Sequence, residues 1–487
     1  MDLSNSSSTV QLHNKSASDL PASINTPAPY GLGWRHVQAL LIFSGFLSLF
    51  CLRINMSVAI VPMTDKNNSN PDFPEFDWSP KERGAILSAF FWGYLIAQFP
   101  AGLLGLTFSP KILLLISTMC SGFLTMATPS AAFFGGVPLV CAIRVVMGIC
   151  QGFMVPLTYS LISKWAPPTE RNRFLGYSLN GAVLGMVFGF PIFGLLAKGA
   201  WGWPSIFYFS SVLAFAWSLL YWLYGANSPA EFSRISPEER NYIETSLSQV
   251  EYKEKPPVPW KHIFKSVPFW ALVVAQVGYG WGFSIVLTQT PSYFNNVLNL
   301  DIRTNGFLAA VPYLSMWLVT FPVCYLADHI KKKNLLSDNF VRKTWTIIAM
   351  CGSSVPLIII GYVGKNTVAV ISLLTIGVSL HSFLFSGFFV NHLDLSPNFA
   401  PLLMGFANGL ENITTILAPL TVGWIVTDLG SVEQWRNEFW VTFCVSVIPA
   451  IGFVIFGKTE EQYWNRPENL PENKRTNRDA ENKVEKF

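Results

Sequence analysis

The chain has 487 residues, 51% hydrophobic and 15% aromatic, with only 13% charged and a mean hydropathy of +0.37. A soluble domain carries about 25% charged residues, so the composition excludes an ordinary soluble globular protein and points to a polytopic membrane protein. The net charge of +4 is too small to argue for a nucleic-acid partner, and none is expected.

Residues 1–33 are polar and Ser/Asn-rich, without the short apolar core and cleavage site of a signal peptide. They read as a disordered cytosolic N-terminus. A bilayer core of about 30 Å takes roughly 20 apolar residues of helix. Such runs lie near 34–62, 83–107, 110–130, 137–163, 174–198 and 203–225. A second set lies near 266–290, 303–329, 343–362, 368–392, 400–428 and 436–457. The expectation is an all-α membrane protein of 12 transmembrane helices in two six-helix bundles, 34–225 and 266–457. Between them lies a cytosolic linker, 226–265, and after them a cytosolic C-terminal tail, 458–487. In the linker, "SPEERNYIETSL" offers Ser236 as N-cap, Pro237 at the first helical position and Glu239 for a capping box.

Lysine and arginine set the orientation. Placing both termini in the cytosol puts Lys164, Arg171, Arg173, the 331–333 lysines, Arg342 and the linker cations on the inner side. The loop 65–83 is then outer, and its Asn67-Asn68-Ser69 sequon is the candidate glycosylation site. All seven cysteines fall in apolar runs without CxxC spacing and read as buried free thiols. Gly181, Gly185 and Gly189 recur every fourth residue, a spacing that lets helices approach closely.

Two bundles with a midplane site between them is the transporter plan. "GLLGLTFSPK" lacks the end of a phosphate-binding loop, and no catalytic triad or metal cluster is legible. Neither enzyme chemistry nor a bound cofactor is expected. Few charges fall inside the spans: Arg53, Arg144 and Glu411, with Asp328 and Asp394 at cytoplasmic ends. A guanidinium keeps its proton and costs roughly 3 kcal/mol at mid-membrane on insertion scales. Pairing of Arg53 with Glu411 is one resolution. The favoured one is that Arg53 and Arg144 face a wet cavity and bind an anion, since guanidinium forks suit carboxylates and phosphates.

The chain resembles the major facilitator superfamily and, within it, the anion/cation symporter family (solute carrier family 17). The likeness rests on "FFWGYLIAQFPAG", "SKWAPPTERNR", "YLADHIKKKNLLSDNFVRK" and "SGFFVNHLDLSPNFAPLLMGFANG", and covers about residues 35–465. The family holds sodium/phosphate cotransporters, sialin and the vesicular glutamate transporters. The resemblance implies the major facilitator fold, with bundles that rock about a cavity lined by spans 1, 4, 7 and 10. It also implies that Arg53 and Arg144 bind the anionic substrate.

Three departures separate the chain from some members. Leu87 stands where the glutamate transporters have histidine, and Tyr279, in "GYGWGF", where they have arginine. Gln151 replaces a glutamate tied to proton coupling in sialin and the glutamate transporters. The phosphate-cotransporter branch is the nearest likeness. Secondary transport of a small anion, driven by Na⁺ or H⁺, is therefore expected, from a monomer in the plasma membrane or an endolysosomal or vesicular membrane. Asn55, Tyr94, Gln151 and Tyr279 are expected to assist the arginines. Glu411 is the cation-coupling candidate, and Asp328, Asp394 and His392 are assigned to the cytoplasmic gate. His381 and His392 are both more readily structural. A proton-coupled or facilitative organic anion transporter, an anion channel and a non-transporting anion receptor are the rival readings.

Overall fold

The computed structural model describes residues 31–64, 73–247, 258–300 and 302–466. Asn67 lies outside the described residues. Fifteen α-helices and short 3₁₀ turns are present among them, with no strand. The first half contains α1 (Trp34–Thr64), α2 (Pro80–Thr107), α3 (Pro110–Gln151), α4 (Met154–Trp165), α5 (Arg171–Lys198) and α6 (Pro204–Tyr224). The linker contributes α7 (Pro237–Leu247) and α8 (Trp260–Phe264). The second half contains α9 (Val267–Asn296), α10 (Ile302–Lys332), α11 (Asp338–Val363), α12 (Thr367–Leu380), α13 (Phe388–Leu395), α14 (Ala400–Ile425) and α15 (Val432–Phe456).

Ten helical stretches are long and apolar enough to cross a bilayer. One of them, Pro110–Trp165, folds back at Gly136, whose φ of 57° and ψ of −151° are open to glycine and strained for other residues. Thr125 Oγ1 donates to Met147 Sδ at 3.7 Å across this fold-back, so the stretch supplies two crossings. With that second limb and the 26-residue α14, the expected twelve are present.

Helix starts follow the local chemistry. Ser79-Pro80 opens α2 with a complete capping box closed by Glu82. The 181/185/189 glycine stripe behaves as its spacing predicts. A Cβ at Gly185 would sit 2.7 Å from the Leu47 carbonyl oxygen, and one at Gly189 2.7 Å from Ile54, so α5 lies directly on α1. The thiols are free as expected, but only Cys51 and Cys324 are buried; Cys120 and Cys444 are exposed on the outer surface of the helices. An apolar outer surface that would face lipid hides nothing from the chain itself, so an apolar run does not imply burial within the protein.

Two crossings are interrupted. The fourth breaks between α3 and α4 at Gly152-Phe153, and the tenth passes from α12 through a 3₁₀ turn, His381–Ser386, into α13. The halves meet along α2 with α14, α4 with α14, and α5 with α10. Among the described residues, the hydrogen bonds joining the halves lie toward the end where α1 starts, which carries Lys164, Arg171, Arg173 and the 331–333 lysines. We call this end the basic face.

Candidate functional site

The site begins with a close helix contact. Gly93 of α2 packs on the Val145 backbone, and Gly148 packs on the Phe90 carbonyl, each at a distance that leaves no room for a side chain. This approach lays Phe90, itself fully buried, between two cations. The guanidinium carbon of Arg53 lies 5.1 Å from the Phe90 ring centre, and that of Arg144 lies 4.9 Å from it. Arg53 also stands over Phe50 at 4.7 Å and Tyr94 at 4.5 Å. Aromatic faces attract cations, each contact contributing about 0.5–2 kcal/mol depending on desolvation. They offset part of the cost of holding two positive charges in one place.

Arg144 is only 2% exposed, whereas Arg53 is half-buried. Among the described residues, neither forms an ion pair. Arg53 Nε, and Nε and Nη1 of Arg144, are buried without a hydrogen-bond partner. Pairing of Arg53 with Glu411 is thus not what the structure shows. Glu411 instead accepts from Gln276 Nε2 of α9 at 2.8 Å, with its own α14 hydroxyls, Thr414 and Thr415, turned to its backbone oxygen.

The other expected residues divide into three groups. Tyr94 joins the arginine cluster directly and accepts from Asn408 Nδ2 at 3.2 Å. Asn55 and Gln151 are buried amides with no hydrogen-bond partner on either polar atom among the described residues. Asn55 follows Arg53 by two positions, about 200° round α1, so it does not share the face that stacks on α2. Gln151 stands at the helix break, where the freed Gly152 carbonyl accepts from Gln98 Nε2 at 3.1 Å. Tyr279 belongs to an aromatic group of the second half, against Phe283, His381, Phe388 and Phe389. Leu87 is a half-buried member of the apolar core.

Toward the basic face the halves are locked by ion pairs. Asp328 of α10 accepts from the Asn172 and Arg173 backbone amides at the start of α5, from Asn172 Nδ2 at 2.6 Å and from Arg173 Nε at 2.8 Å. A carboxylate at a helix N-terminus is favoured by the dipole as well as by the free N–H groups. Asp394 pairs with Arg342 Nε at 2.8 Å within the second half and with Arg171 at 3.8 Å across to the first. Arg342 Nη1 also donates to Asn172 Oδ1 at 2.8 Å. His392 lies apart from this network, fully buried, with Nδ1 3.2 Å from the Phe389 carbonyl and its ring against Tyr159.

A family model described as "Major Facilitator Superfamily" matches residues 41–410. The chain belongs to the major facilitator superfamily. A "Putative inorganic phosphate cotransporter" of Drosophila melanogaster is 34% identical over 458 residues, covering 89% of this chain and 87% of its own. Sialin of Homo sapiens is 34% identical over 458 residues, covering 90% and 92%. Vesicular glutamate transporter 3 of Danio rerio is 34% identical over 457 residues, covering 91% and 76%. These relatives set this facilitator in solute carrier family 17. Among solved structures, the proton:xylose symporter XylE superposes with a TM-score of 0.69 at 14% identity, over 88% of this chain and 97% of its own. The fucose:proton symporter FucP gives 0.60 at 15%, over 86% and 98%. At that identity they show the shared fold.

Several residues of the facilitator's site were not singled out from the sequence. Phe90 lies in a quoted motif yet looks like any core aromatic until both arginines are seen on it. Arg171, Arg173 and Arg342 count in the sequence only as charges that orient the chain, although two ion pairs that cross between the halves rest on Arg171 and Arg173, and Arg342 adds a bond to Asn172. Asn408 and Gln276 carried no signal, because a lone amide in an apolar helix does not name its partner.

Proposed function

We propose that this facilitator is a secondary active transporter that carries a small anion by alternating access, driven by a cation gradient, with inorganic phosphate and Na⁺ as the first pair to test. The observation that carries the reading is the arginine pair on one phenyl ring, with buried nitrogen donors that no group among the described residues satisfies. A buried charge demands a partner, and a mobile anion is one that comes and goes with the transport cycle. Two guanidinium forks match the oxygen geometry of phosphate or carboxylate. Tyr94 holds Arg53 in place, while Gln151, Asn55 and Tyr279 supply further polar or aromatic groups.

Gln151 and Tyr279, standing for an acid and a base of the glutamate-transporter pattern, favour phosphate over glutamate. Glu411, held by a single neutral amide, is assigned to the coupling cation. Asp328, Asp394 and the arginines they pair with form the gate, and His392 braces it from behind. The basic face is placed in the cytosol with both termini, so the state seen is closed to the cytosol. We assign the chain transport as a monomer and no catalysis.

The test is uptake of labelled phosphate and a panel of organic anions into cells or proteoliposomes, with sodium replaced and pH varied. Uphill phosphate accumulation that needs Na⁺ supports the reading. Uptake that only follows the anion's own gradient overturns it in favour of a facilitative carrier or a channel. Changing Glu411 to Gln is expected to abolish the cation dependence; unaltered dependence removes Glu411 from the mechanism.

A further inference from the structure

The arginine cluster belongs to the first half and Glu411 to α14 of the second, and one α14 side chain reaches across to the cluster. Asn408 of α14 is 8% exposed. Its single Nδ2 donates both to the Tyr94 hydroxyl at 3.2 Å and to Gln98 Oε1 at 2.8 Å, across the seam between the halves. Each of those acceptors leads further into the first half. The Tyr94 ring is the surface over which the Arg53 guanidinium stands at 4.5 Å. Gln98 donates in turn to the carbonyl freed by the break after Gln151.

On its own helix Asn408 sits one turn before Glu411, and its backbone oxygen accepts from Asn412 at 2.6 Å. The α2–α14 seam is narrow here: a Cβ at Gly405 would lie 2.6 Å from the Gln98 carbonyl oxygen. Rocking of the halves that parts α2 from α14 here breaks both bonds of Asn408. Opening exchanges these bonds for bonds to water, a net loss of a few-fold for each bond in the closed-to-open equilibrium, so the fork favours the closed state.

We infer that Asn408 is a positioning residue through which closure of the basic face sets the place of the Arg53 guanidinium. With the face closed, Asn408 fixes the Tyr94 hydroxyl, and the fixed ring holds Arg53 for the anion. With the face open, Tyr94 is released and the seat under Arg53 loosens. The link gives anion affinity a dependence on which side is open, carried by contacts with two discrete arrangements. It rests on the proposed anion transport for its meaning, although the contact itself can be tested without a transported substrate.

The facilitator contains its own reporter. Cys324 of α10 is fully buried, and a Cβ at Gly176 of α5 would strike its sulfur, so the thiol is sealed between the halves at the basic face. In a full-length chain whose other cysteines are serine, maleimide labelling of Cys324 measures opening. Asn408→Ala and Tyr94→Phe remove the same bond from opposite ends, and Tyr94→Phe keeps the ring under Arg53. Tyr94→Phe is expected to raise the labelling rate about two- to tenfold, the range one hydrogen bond supports, and Asn408→Ala, which also loses the Gln98 bond, by at least as much. The double variant is expected to do no more than the larger single effect on that shared bond.

In labelled-phosphate uptake, both single variants are expected to raise KM with little change in maximal rate. Unchanged labelling in both variants, or labelling effects that multiply in the double, overturns the inference. So does a lowered maximal rate with unchanged KM. Absence of phosphate uptake in the unaltered chain counts against the proposed substrate, and the labelling result still decides the role of Asn408.

Discussion

Arg144 has the most confined charge in the site, and its surroundings set what it can be replaced by. A lysine keeps the charge but neither the planar stack on Phe90 nor the fork of donors. Arg144→Lys is therefore expected to lose most uptake at normal membrane abundance, and full uptake would show that charge alone suffices. Gly148→Ala tests the seam beneath the ring. Its methyl meets the Phe90 carbonyl oxygen, and forcing a methyl into a packed seam costs about 1–3 kcal/mol. Lower thermal stability together with weakened anion binding is expected; a variant with both unchanged would deny that this contact places the ring. Arg53 and Arg144 were legible in the sequence because a permanent charge in an apolar run is itself an anomaly. Phe90 and Asn408 were not, since their roles exist only through neighbours on other helices.

Among the elements, the linker helix α7 departs most from its sequence reading. Ser236 caps it as expected, accepting from the Glu239 amide at 3.2 Å. The Glu239 carboxylate, however, leaves the box and closes the start of α1, accepting from the Trp34 amide at 2.8 Å and the Arg35 amide at 3.1 Å. It also pairs with Arg35 Nη1 at 3.2 Å, while Arg35 Nε pairs with Glu170 at 2.9 Å. A helix start with free N–H groups and a buried arginine outcompetes one local cap.

Glu239→Gln is expected to cost about 1–3 kcal/mol, read as a lower melting temperature of the purified protein; an unchanged melting temperature would make α7 a passive tether. The start of the tail was equally hidden. Residues 458–466 fold under the second half, with Asn465 Oδ1 accepting from Ser396 Oγ at 2.5 Å and Trp464 buried beside Phe399 and Leu402. Trp464→Ala is expected to destabilise by about 3–5 kcal/mol, and unaltered thermal unfolding would contradict that packing. Hydropathy located the crossings because a bilayer imposes length and apolarity on each. It says nothing of polar segments whose partners lie far along the chain.

At the scale of the whole molecule, the two halves are held together on the basic face, and the first half carries the Arg53 and Arg144 pair beyond it. Asp328 is the centre of that closure, with bonds to Asn172 and Arg173 of the other half. The two-bundle plan, the arginine pair and the acidic ends of spans 8 and 10 could all be read from the sequence. The pairs that shut the basic face, Asp328 with Arg173 and Asp394 with Arg171, join residues more than a hundred positions apart in the chain.

The proposed transport depends above all on Arg53 and Arg144 holding the anion. The most direct measurement is phosphate accumulation in proteoliposomes under an inward Na⁺ gradient, comparing the unaltered chain with Arg53→Gln and Arg144→Gln at equal reconstitution. Accumulation is expected in the unaltered chain and in neither variant. Undiminished accumulation by either variant would contradict that role of the arginines.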